Sequence, residues 1–274
     1  MSSMLDDLRP HGSSMPLVRG GRPLKRWRWV GVFADDVMLV AGFARVLGVG
    51  QAWWAVWERS AARLHGRTVL VRPGSVVGLA GGRVLVEDGA GSFALELDEA
   101  AVEPIEVVCP HGAQEVWTRK RAGVPALGWV RVAGRVRAVH GLAVIDDSAG
   151  RHDRLTAWRW CAGVGRTVDG RVVGWNLVEG VNDPPSGSER AVWLDGAPRE
   201  VGPVAIAADL SSARSLDDGT RMSFAAEASR ERHDRLLVAR SDYVQPFGSF
   251  SGMLPGGLKL ESGLGVMEDH RARW

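Results

Sequence analysis

Two ionisable residues near the end of the chain, Glu268 and His270, lie two positions apart within a run of alternating apolar residues. That spacing places residues on one face of a β-strand, and the face also carries Val266 and Ala272. A carboxyl group on an apolar face loses hydration, which raises its pKa and keeps it protonated near neutral pH. A protonated carboxyl can act as a general acid, and an adjacent imidazole can tune it or return its proton. The pattern therefore indicates Glu268 and His270 as candidate catalytic residues.

Other segments also place polar residues on faces that the alternation predicts to be apolar. Glu179 shares its predicted face with Trp175 and is the third candidate catalytic residue, whereas Asn176 falls on the opposite face. Polar residues of this kind can instead form a satisfied network that closes a barrel mouth, so the catalytic role is a hypothesis. Residues that would line or orient a ligand are the candidates Trp158, Trp160, Trp175, Asn182, Tyr243, Gln245 and His140.

Tryptophan is unusually frequent, with 12 residues against one tyrosine and six phenylalanines. Trp27 and Trp29 lie two apart, as do Trp158 and Trp160, so each pair is predicted to project from one face of a strand. Indole faces attract cations and bury large apolar areas. An acid beside them could protonate an alkene or a leaving group while the rings stabilise the cation that forms.

The elements that must position these residues are predicted to be β-strands. Asp-Gly pairs, which favour tight hairpin turns, occur at residues 88–89, 169–170, 195–196 and 218–219 beside β-branched or aromatic residues. The 35 glycines and 13 prolines leave little room for long helices, and the best helical candidate is the short segment Ser60 to Leu64. We therefore predict an all-β protein of two linked antiparallel β-barrels or sandwiches, because a long meander must close or cover its edges.

The length suits two lobes. We predict a flexible leader at residues 1–22, an N-terminal lobe at 23–148 and a C-terminal lobe at 149–274, with the boundary in the polar stretch Asp146 to Leu155. The segment from Arg26 to Val32 resembles the segment from Ala157 to Val164, since both contain Trp-Arg-Trp. This is either an internal duplication in which each copy opens a lobe, or a chance repetition in a Trp-rich chain.

Composition argues against several classes of protein. The formal net charge is +2 with acids and bases intermixed, which disfavours binding to nucleic acid. Cys109 and Cys161 are predicted to be buried thiols in a reducing compartment, and the longest apolar run, Val37 to Ala44, is too short to span a bilayer. With no secretory signal apparent, we expect a cytoplasmic protein without stable membrane insertion. No spacing indicates a metal, and no phosphate-binding or dinucleotide-binding motif indicates a cofactor.

Long motifs in the C-terminal half resemble a bacterial family, domain of unknown function 2804. They cover Asp146 to the C-terminus and, before that, mainly Lys25 to Asp36; nothing in residues 61–121 matches. That family is distantly similar to the two-lobed, lipocalin-like carotenoid 1,2-hydratase and tocopherol cyclase group, which implies two linked β-barrels and an isoprenoid-like ligand. The motifs that carry the resemblance are Thr156–Gly165, Trp175–Asp183, Ser188–Gly196, Ser241–Gly252 and Gly265–Trp274.

Three hypotheses about function follow. The first is an enzyme that binds a lipophilic molecule, possible classes being isoprenoids and polyketides, and performs its acid-assisted hydration or cyclisation, with Glu268 or Glu179 as the proton donor. The second is a carrier with the same pocket and no reaction, in which polar residues orient the ligand. The third is a structural module that recruits another protein. The sequence leaves the ligand and the oligomeric state open.

Overall fold

The computed structural model of the protein describes residues 15–46, 49–71, 76–235 and 240–273. Most of the predicted leader, residues 1–14, therefore lies outside the described residues. Its last part contains a small hairpin of β1 (Val18–Arg19) and β2 (Arg22–Pro23). The described chain is otherwise almost entirely β-strand, as predicted, with one 3-10 turn at Glu99–Ala101.

The N-terminal sheet is antiparallel and curls into a half-barrel. Its strand order is β6-β5-β4-β3-β12-β11-β9-β8-β7, and β10 pairs with β11 off this path. The strands are β3 (Lys25–Phe33), β4 (Val37–Val46), β5 (Val49–Glu58), β6 (Arg63–Val71), β7 (Val77–Ala80), β8 (Arg83–Asp88), β9 (Gly91–Leu97), β10 (Ile105–His111), β11 (Gln114–Val132) and β12 (Arg135–Gly150).

The C-terminal sheet is also antiparallel and has the order β16-β15-β14-β13-β21-β20-β19-β18-β17. Residues 151–154, within the predicted boundary stretch, connect it to the end of β12. The strands are β13 (Leu155–Thr167), β14 (Val172–Glu179), β15 (Ala191–Leu194), β16 (Ala197–Glu200), β17 (Val204–Ile206), β18 (Ser212–Ser215), β19 (Arg221–Arg235), β20 (Arg240–Leu254) and β21 (Leu258–Arg273).

The two sheets share one topology. In each, a four-strand meander starts at the first strand of the lobe, and that first strand also pairs with the last one: β3 with β12, and β13 with β21. The two Trp-Arg-Trp segments lie on β3 and β13, so the repeat seen in the sequence occupies equivalent strands. Register makes the equivalence residue-specific, since Trp29 lies opposite Asp146 and Trp160 lies opposite Glu268.

The sheets pack face to face. The larger apolar core contains residues from both lobes, including Trp29 and Trp160, whose rings meet edge to face with centroids 5.0 Å apart. A second core, which includes Cys161 and Trp175, lies on the opposite face of the C-terminal sheet. The face of β13 and β21 that carries Trp158, Trp160 and Glu268 is therefore covered by the N-terminal lobe.

Short sequence signals for turns agree with the structure. All four Asp-Gly pairs lie at hairpin turns, between β8 and β9, β13 and β14, β15 and β16, and β18 and β19, which confirms that prediction. The best helical candidate, Ser60 to Leu64, is not helical: it contains the end of the tight turn between β5 and β6, with Ala62 at a positive φ of 48°, and the start of β6. Pairing of the two long flanking strands overrides the weak helical propensity of the turn.

Alternation is interrupted by irregular register at several places in the long strands. The pairing of β11 with β12 shifts between Ala122 and Val124. In β21, the register with β13 shifts between Leu260 and Ser262, so Leu260 joins the core opposite to the one that contains Val266. The alternation that places Glu268 with Val266 and Ala272 therefore holds from Leu264 onward.

No helix among the described residues has the length and apolar character needed to cross a membrane.

Close packing of β13 against β21 depends on a cross-strand glycine pair, Gly163 and Gly265. A Cβ atom at Gly265 would lie 2.2 Å from the carbonyl oxygen of Ala162, which is too close for the strands to stay in place. We expect Gly265→Ala to lower the free energy of unfolding by about 1–3 kcal/mol, as overpacking does, in urea denaturation. Gly89→Ala is the matched control, because the space around Gly89 is open. Equal denaturation midpoints for the two variants would contradict this account.

Candidate functional site

Glu268 is buried between the sheets, with 7% of its surface exposed. The carboxyl group of Glu268 accepts a hydrogen bond from each of the two strands beside β21. Trp158 Nε1 on β13 donates to Oε1 at 2.8 Å, and Gln245 Nε2 on β20 donates to Oε2 at 2.8 Å. The alternation of the three strands aims all of these side chains at the N-terminal lobe. Three of the predicted site residues thus meet at one carboxyl group.

The environment of Glu268 favours its protonated form. Burial raises the pKa of Glu268 to about 7, because the charged form loses hydration. The hydrogen bond from Trp158 opposes this shift, the negative charge of Asp146 adds to it, and the hydrogen bond from Gln245 opposes it again. A carboxyl group with this pKa exchanges its proton near neutral pH, which is the property required of a general acid.

His270 lies in the same cluster of side chains, and its predicted role of tuning or reprotonating Glu268 stays a prediction. Its ring packs between Trp158, at a centroid distance of 4.3 Å, and Tyr243, at 5.5 Å, and its Nε2 lies 2.8 Å from Ser241 Oγ. Burial and the nearby Lys25 lower the pKa of His270 to about 4. The imidazole is therefore neutral at neutral pH, so it orients the two aromatic rings and is not a cationic proton donor.

Tyr243 connects the cluster to Arg230 on the neighbouring strand β19. The guanidinium of Arg230 on β19 lies 5.2 Å from the centre of the Tyr243 ring, and Arg230 also donates to Thr68 Oγ1 of the N-terminal lobe at 2.7 Å. Tyr243, Trp158, His270 and Trp27 are each half-buried. These four residues form what we call the aromatic rim, an accessible edge of the interface beside Glu268.

The N-terminal lobe provides an equivalent carboxylate at Asp146. Trp27 Nε1 donates to Asp146 at 3.2 Å, as Trp158 Nε1 does to Glu268. Lys120 Nζ also donates to Asp146, at 2.5 Å, and its position on β11 is equivalent to that of Gln245 on β20. The two lobes therefore repeat one arrangement with a single change of chemistry. A cation compensates the carboxylate of the N-terminal lobe, and a neutral amide binds that of the C-terminal lobe.

Lys120 also joins the two lobes. Its Nζ lies 3.3 Å from Glu189 of the C-terminal lobe, and Asn182 Nδ2 donates to Glu189 at 3.0 Å. Burial alone would lower the pKa of Lys120, but the attraction of Asp146 and Glu189 outweighs it and raises that pKa above its ordinary value. Lys120 is thus a buried ammonium ion, and the predicted site residue Asn182 lies in its network.

Asn176 was placed on the face opposite the predicted site, yet it is the residue that binds Trp160. Trp160 Nε1 donates to Asn176 Oδ1 at 2.7 Å, and Asn176 Nδ2 donates to the carbonyl oxygen of Glu189. Sequence reasoning missed Asn176, Lys120, Asp146 and Glu189 as site residues. One signal was available for Asp146, because alternation along its strand places it on the same face as His140.

Two predicted site residues lie on the other face of the C-terminal sheet. Trp175 belongs to the second core with Cys161, so it does not share a wall with Trp158 and Trp160. Glu179 has 38% of its side chain exposed, accepts a hydrogen bond from the Ile206 amide at 3.0 Å and lies 3.6 Å from Arg159. Glu179 shares a face of β14 with Trp175, as predicted, and this face is the one opposite Glu268.

The inward orientation predicted for His140 is also wrong. His140 is on the same face of β12 as Asp146, but it is exposed, as are its neighbours Leu127 and Trp129. The C-terminal lobe covers this face only near the end of β12, so alternation identifies the face but not its burial. A cavity of about 300 Å³ lies elsewhere in the N-terminal lobe, lined by Glu58, Ala61, Arg63, Ala133 and Arg135.

Within the described residues, no group of three or more His, Cys, Asp or Glu side chains is arranged to hold a metal ion.

The match to a family model decides the relationship of the chain. The model of the domain of unknown function DUF2804 matches residues 87–274, about two thirds of the sequence. The chain belongs to this family. The match confirms the resemblance of the C-terminal motifs, begins earlier than they do, and leaves the segment Lys25 to Asp36 outside. No curated protein sequence matches the chain.

Solved structures share the fold. A protein provisionally assigned as AttH from Nitrosomonas europaea has a TM-score of 0.57 at 14% identity, covering 95% of this chain and 98% of its own. Kievitone hydratase from Nectria haematococca has a TM-score of 0.56 at 8% identity, covering 89% of this chain and 88% of its own. These structures confirm the predicted likeness to a two-lobed lipocalin-like fold.

Burial of Glu268 predicts a specific dependence of stability on pH. Because the folded protein holds this proton up to about pH 7 and the unfolded chain releases it near 4.5, wild-type stability falls between these values by about 1.4 kcal/mol per pH unit. Glu268→Gln removes this loss, so its stability relative to wild type should rise by roughly 3 kcal/mol from pH 4.5 to 7.5 in urea denaturation. Glu261→Gln, an exposed change on the same strand, should give a constant difference. A constant difference for both variants would contradict the pKa.

The residue beside the buried carboxyl group differs between the lobes, being Lys120 in one and Gln245 in the other. This difference predicts the effect of replacing Gln245. In Gln245→Lys an ammonium ion replaces the amide beside Glu268, as Lys120 stands beside Asp146, and should lower the pKa of Glu268 by at least one unit. Carbon-13 NMR titration of labelled glutamate side chains measures this directly. Gln245→Met is the control of similar volume: it removes the donor without adding charge and should raise the pKa. If the pKa of Glu268 fell in both variants, disruption of the site and not the added charge would be the cause.

Proposed function

We propose that this protein binds an apolar small molecule at the aromatic rim and that Glu268 donates a proton to it, in an acid-assisted hydration or cyclisation. The observation that carries the proposal is a buried carboxyl group with a pKa of about 7 that faces half-buried indole and phenol rings. The ligand class that suits this surface is isoprenoid-like or polyketide-like, because such molecules combine an apolar body with an alkene that acid can protonate.

Aromatic faces support the chemistry that would follow protonation. Trp158 both donates to Glu268 and presents its ring to His270, so it fixes the acid and forms a wall of the rim. A carbocation formed beside Glu268 would be attracted to the electron-rich faces of Trp158 and Tyr243. After transfer, the hydrogen bonds from Trp158 and Gln245 stabilise the carboxylate that remains. The fold is one that kievitone hydratase also has, which is consistent with a hydratase but does not by itself identify one.

A carrier without catalysis is the second candidate. Among the described residues, Gln245 Oε1 and Asn182 Oδ1 are buried acceptors without a hydrogen-bond partner. A buried acceptor gains stability when a ligand hydroxyl donates to it, which would orient a polar head group. In this case Glu268 would serve as a further acceptor or donor for the head group, and no bond would change.

The deciding experiment starts from the ligand. Compounds extracted from purified protein, or a panel of isoprenoid and polyketide alkenes screened by quenching of tryptophan fluorescence, would be supplied to wild type and to Glu268→Gln in water enriched in oxygen-18. Hydration adds labelled oxygen to the product, whereas cyclisation gives an isomer of unchanged mass. We expect Glu268→Gln to lose at least 100-fold in turnover with affinity within about threefold, because general acid catalysis contributes 10²–10⁴-fold.

A control variant and the pH dependence of turnover distinguish the enzyme from the carrier and the structural module. Glu261→Gln should keep full turnover, since Glu261 is exposed and lies away from the cluster. Wild-type turnover should fall as pH rises through about 7, where Glu268 loses its proton. Binding without turnover by wild type would establish the carrier, and neither binding nor turnover across the panel would favour the structural module. Equal turnover by wild type and Glu268→Gln would exclude Glu268 as the acid.

A further inference from the structure

The cavity of about 300 Å³ in the N-terminal lobe lies between two hairpins. The β5–β6 hairpin contributes Glu58, Ala61 and Arg63 to its lining, and the β11–β12 hairpin contributes Ala133 and Arg135. None of these residues belongs to the proposed acid site. The volume is at the lower end of the range found for small-molecule sites, and the mouths of β-barrels are common places for such sites.

Strand alternation brings the ionisable residues of the cavity to faces that are otherwise apolar. Arg135 and Arg137 share a face of β12 with Val139, which is fully buried. Glu58 likewise shares a face of β5 with Val56, which is also fully buried. The charged side chains therefore continue two apolar strand faces to the point where the strands end at the hairpin turns.

Glu58 is the buried acid of the cavity, and the protein already compensates its charge. Only 3% of Glu58 is exposed. Its Oε1 lies 2.9 Å from His65 Nε2, and its Oε2 lies 3.1 Å from a guanidinium nitrogen of Arg137. A carboxylate removed from water requires partners of this kind. Glu58, His65 and Arg137 therefore form a fixed wall, in which one carboxylate and one guanidinium cancel.

Two further guanidinium groups line the cavity without such compensation. Arg63 and Arg135 are exposed, and in the part of the chain that the structure describes neither pairs with a carboxylate. Arg67, four residues after Arg63 on the same face of β6, lies 3.2 Å from Asp88. Charges of one sign around a concave surface reinforce each other and attract ions of the opposite sign. The cavity therefore has an excess of two positive charges.

We propose that this cavity binds a compact dianion, whose oxygens accept hydrogen bonds from the guanidinium groups of Arg63 and Arg135. Two negative charges balance the two guanidinium groups that the protein leaves uncompensated. A guanidinium donates two parallel hydrogen bonds to a carboxylate or a phosphate, so small dicarboxylates and phosphates share the required chemistry. Ala61 and Ala133 leave room for the ligand, because each presents only a methyl group. The site is independent of the proposed function, which concerns an apolar ligand beside Glu268.

Isothermal titration calorimetry of the full chain at neutral pH and low ionic strength tests the proposal. The probes are glutarate and inorganic phosphate, with glutaramide as the uncharged counterpart of glutarate. We expect at least one of the anions to bind with a dissociation constant of about 1 mM or lower, and glutaramide not to bind. Arg63→Gln and Arg135→Gln should each weaken binding at least about tenfold, because each removes charge-assisted hydrogen bonds. Arg166→Gln, an exposed change in the C-terminal lobe, should leave the affinity within about twofold.

A variant that fills the cavity separates a bound ligand from general attraction to surface charge. Ala61→Phe adds a ring to the lining without changing the charge, and it should also weaken binding at least about tenfold. Ala61 suits this test better than Ala133, whose positive φ of 49° is unfavourable for a larger side chain. Binding of glutarate alone would identify a dicarboxylate site, and binding of phosphate alone a phosphate site. Unchanged affinity in a folded Ala61→Phe variant, equal effects of the three arginine substitutions, or no binding of either anion would each overturn the proposal.

Discussion

Burial of two carboxylates between the sheets is the constraint on which the rest of this structure depends. Asp146 and Glu268 lie on the last strand of each lobe, on faces that the other lobe covers. A carboxylate removed from water needs hydrogen-bond donors or a cation, since its desolvation costs several kcal/mol. Each receives an indole donor from the neighbouring first strand, Trp27 or Trp158. The Trp-Arg-Trp repeat thus has a physical purpose, which is to supply these donors.

The lobes differ in the residue that lies beside each buried carboxyl group. Lys120 compensates Asp146 and reaches Glu189, so this carboxylate is part of an ion network that joins the lobes. Gln245 occupies the equivalent place beside Glu268 and brings no charge. The negative charge of Asp146 then raises the pKa of Glu268 further. Two neighbouring carboxyl groups with different partners are a common way to separate a charged group from a proton donor. One arrangement, used twice, therefore yields one carboxylate compensated by a cation and one carboxyl group with a raised pKa.

The strand-level part of the site could be predicted from the sequence, because alternation is a local property of extended backbone. It placed Glu268 with His270 on one face of β21, and Tyr243 with Gln245 on one face of β20. The two strands are neighbours in the sheet, and the two pairs of side chains contact each other. It failed where long-range contacts decide burial. His140 shares a face with Asp146 but lies where the second sheet does not cover it. In isolation Lys120, Asp146 and Glu189 resemble solvated charges, and only the packing of two lobes brings them together out of water.

By itself, the sequence determined the all-β architecture, the hairpin turns, the family and the two-residue spacing that groups the polar side chains. These features follow from backbone geometry and turn chemistry, which act over a few residues. Tertiary structure alone decided which face of each sheet is covered, and hence that Trp175 and Glu179 are separated from Glu268 while Asn176 and Lys120 join its surroundings. It also raised the pKa of Glu268. Desolvation and nearby charges set a pKa, and both depend on residues more than a hundred positions away in the chain.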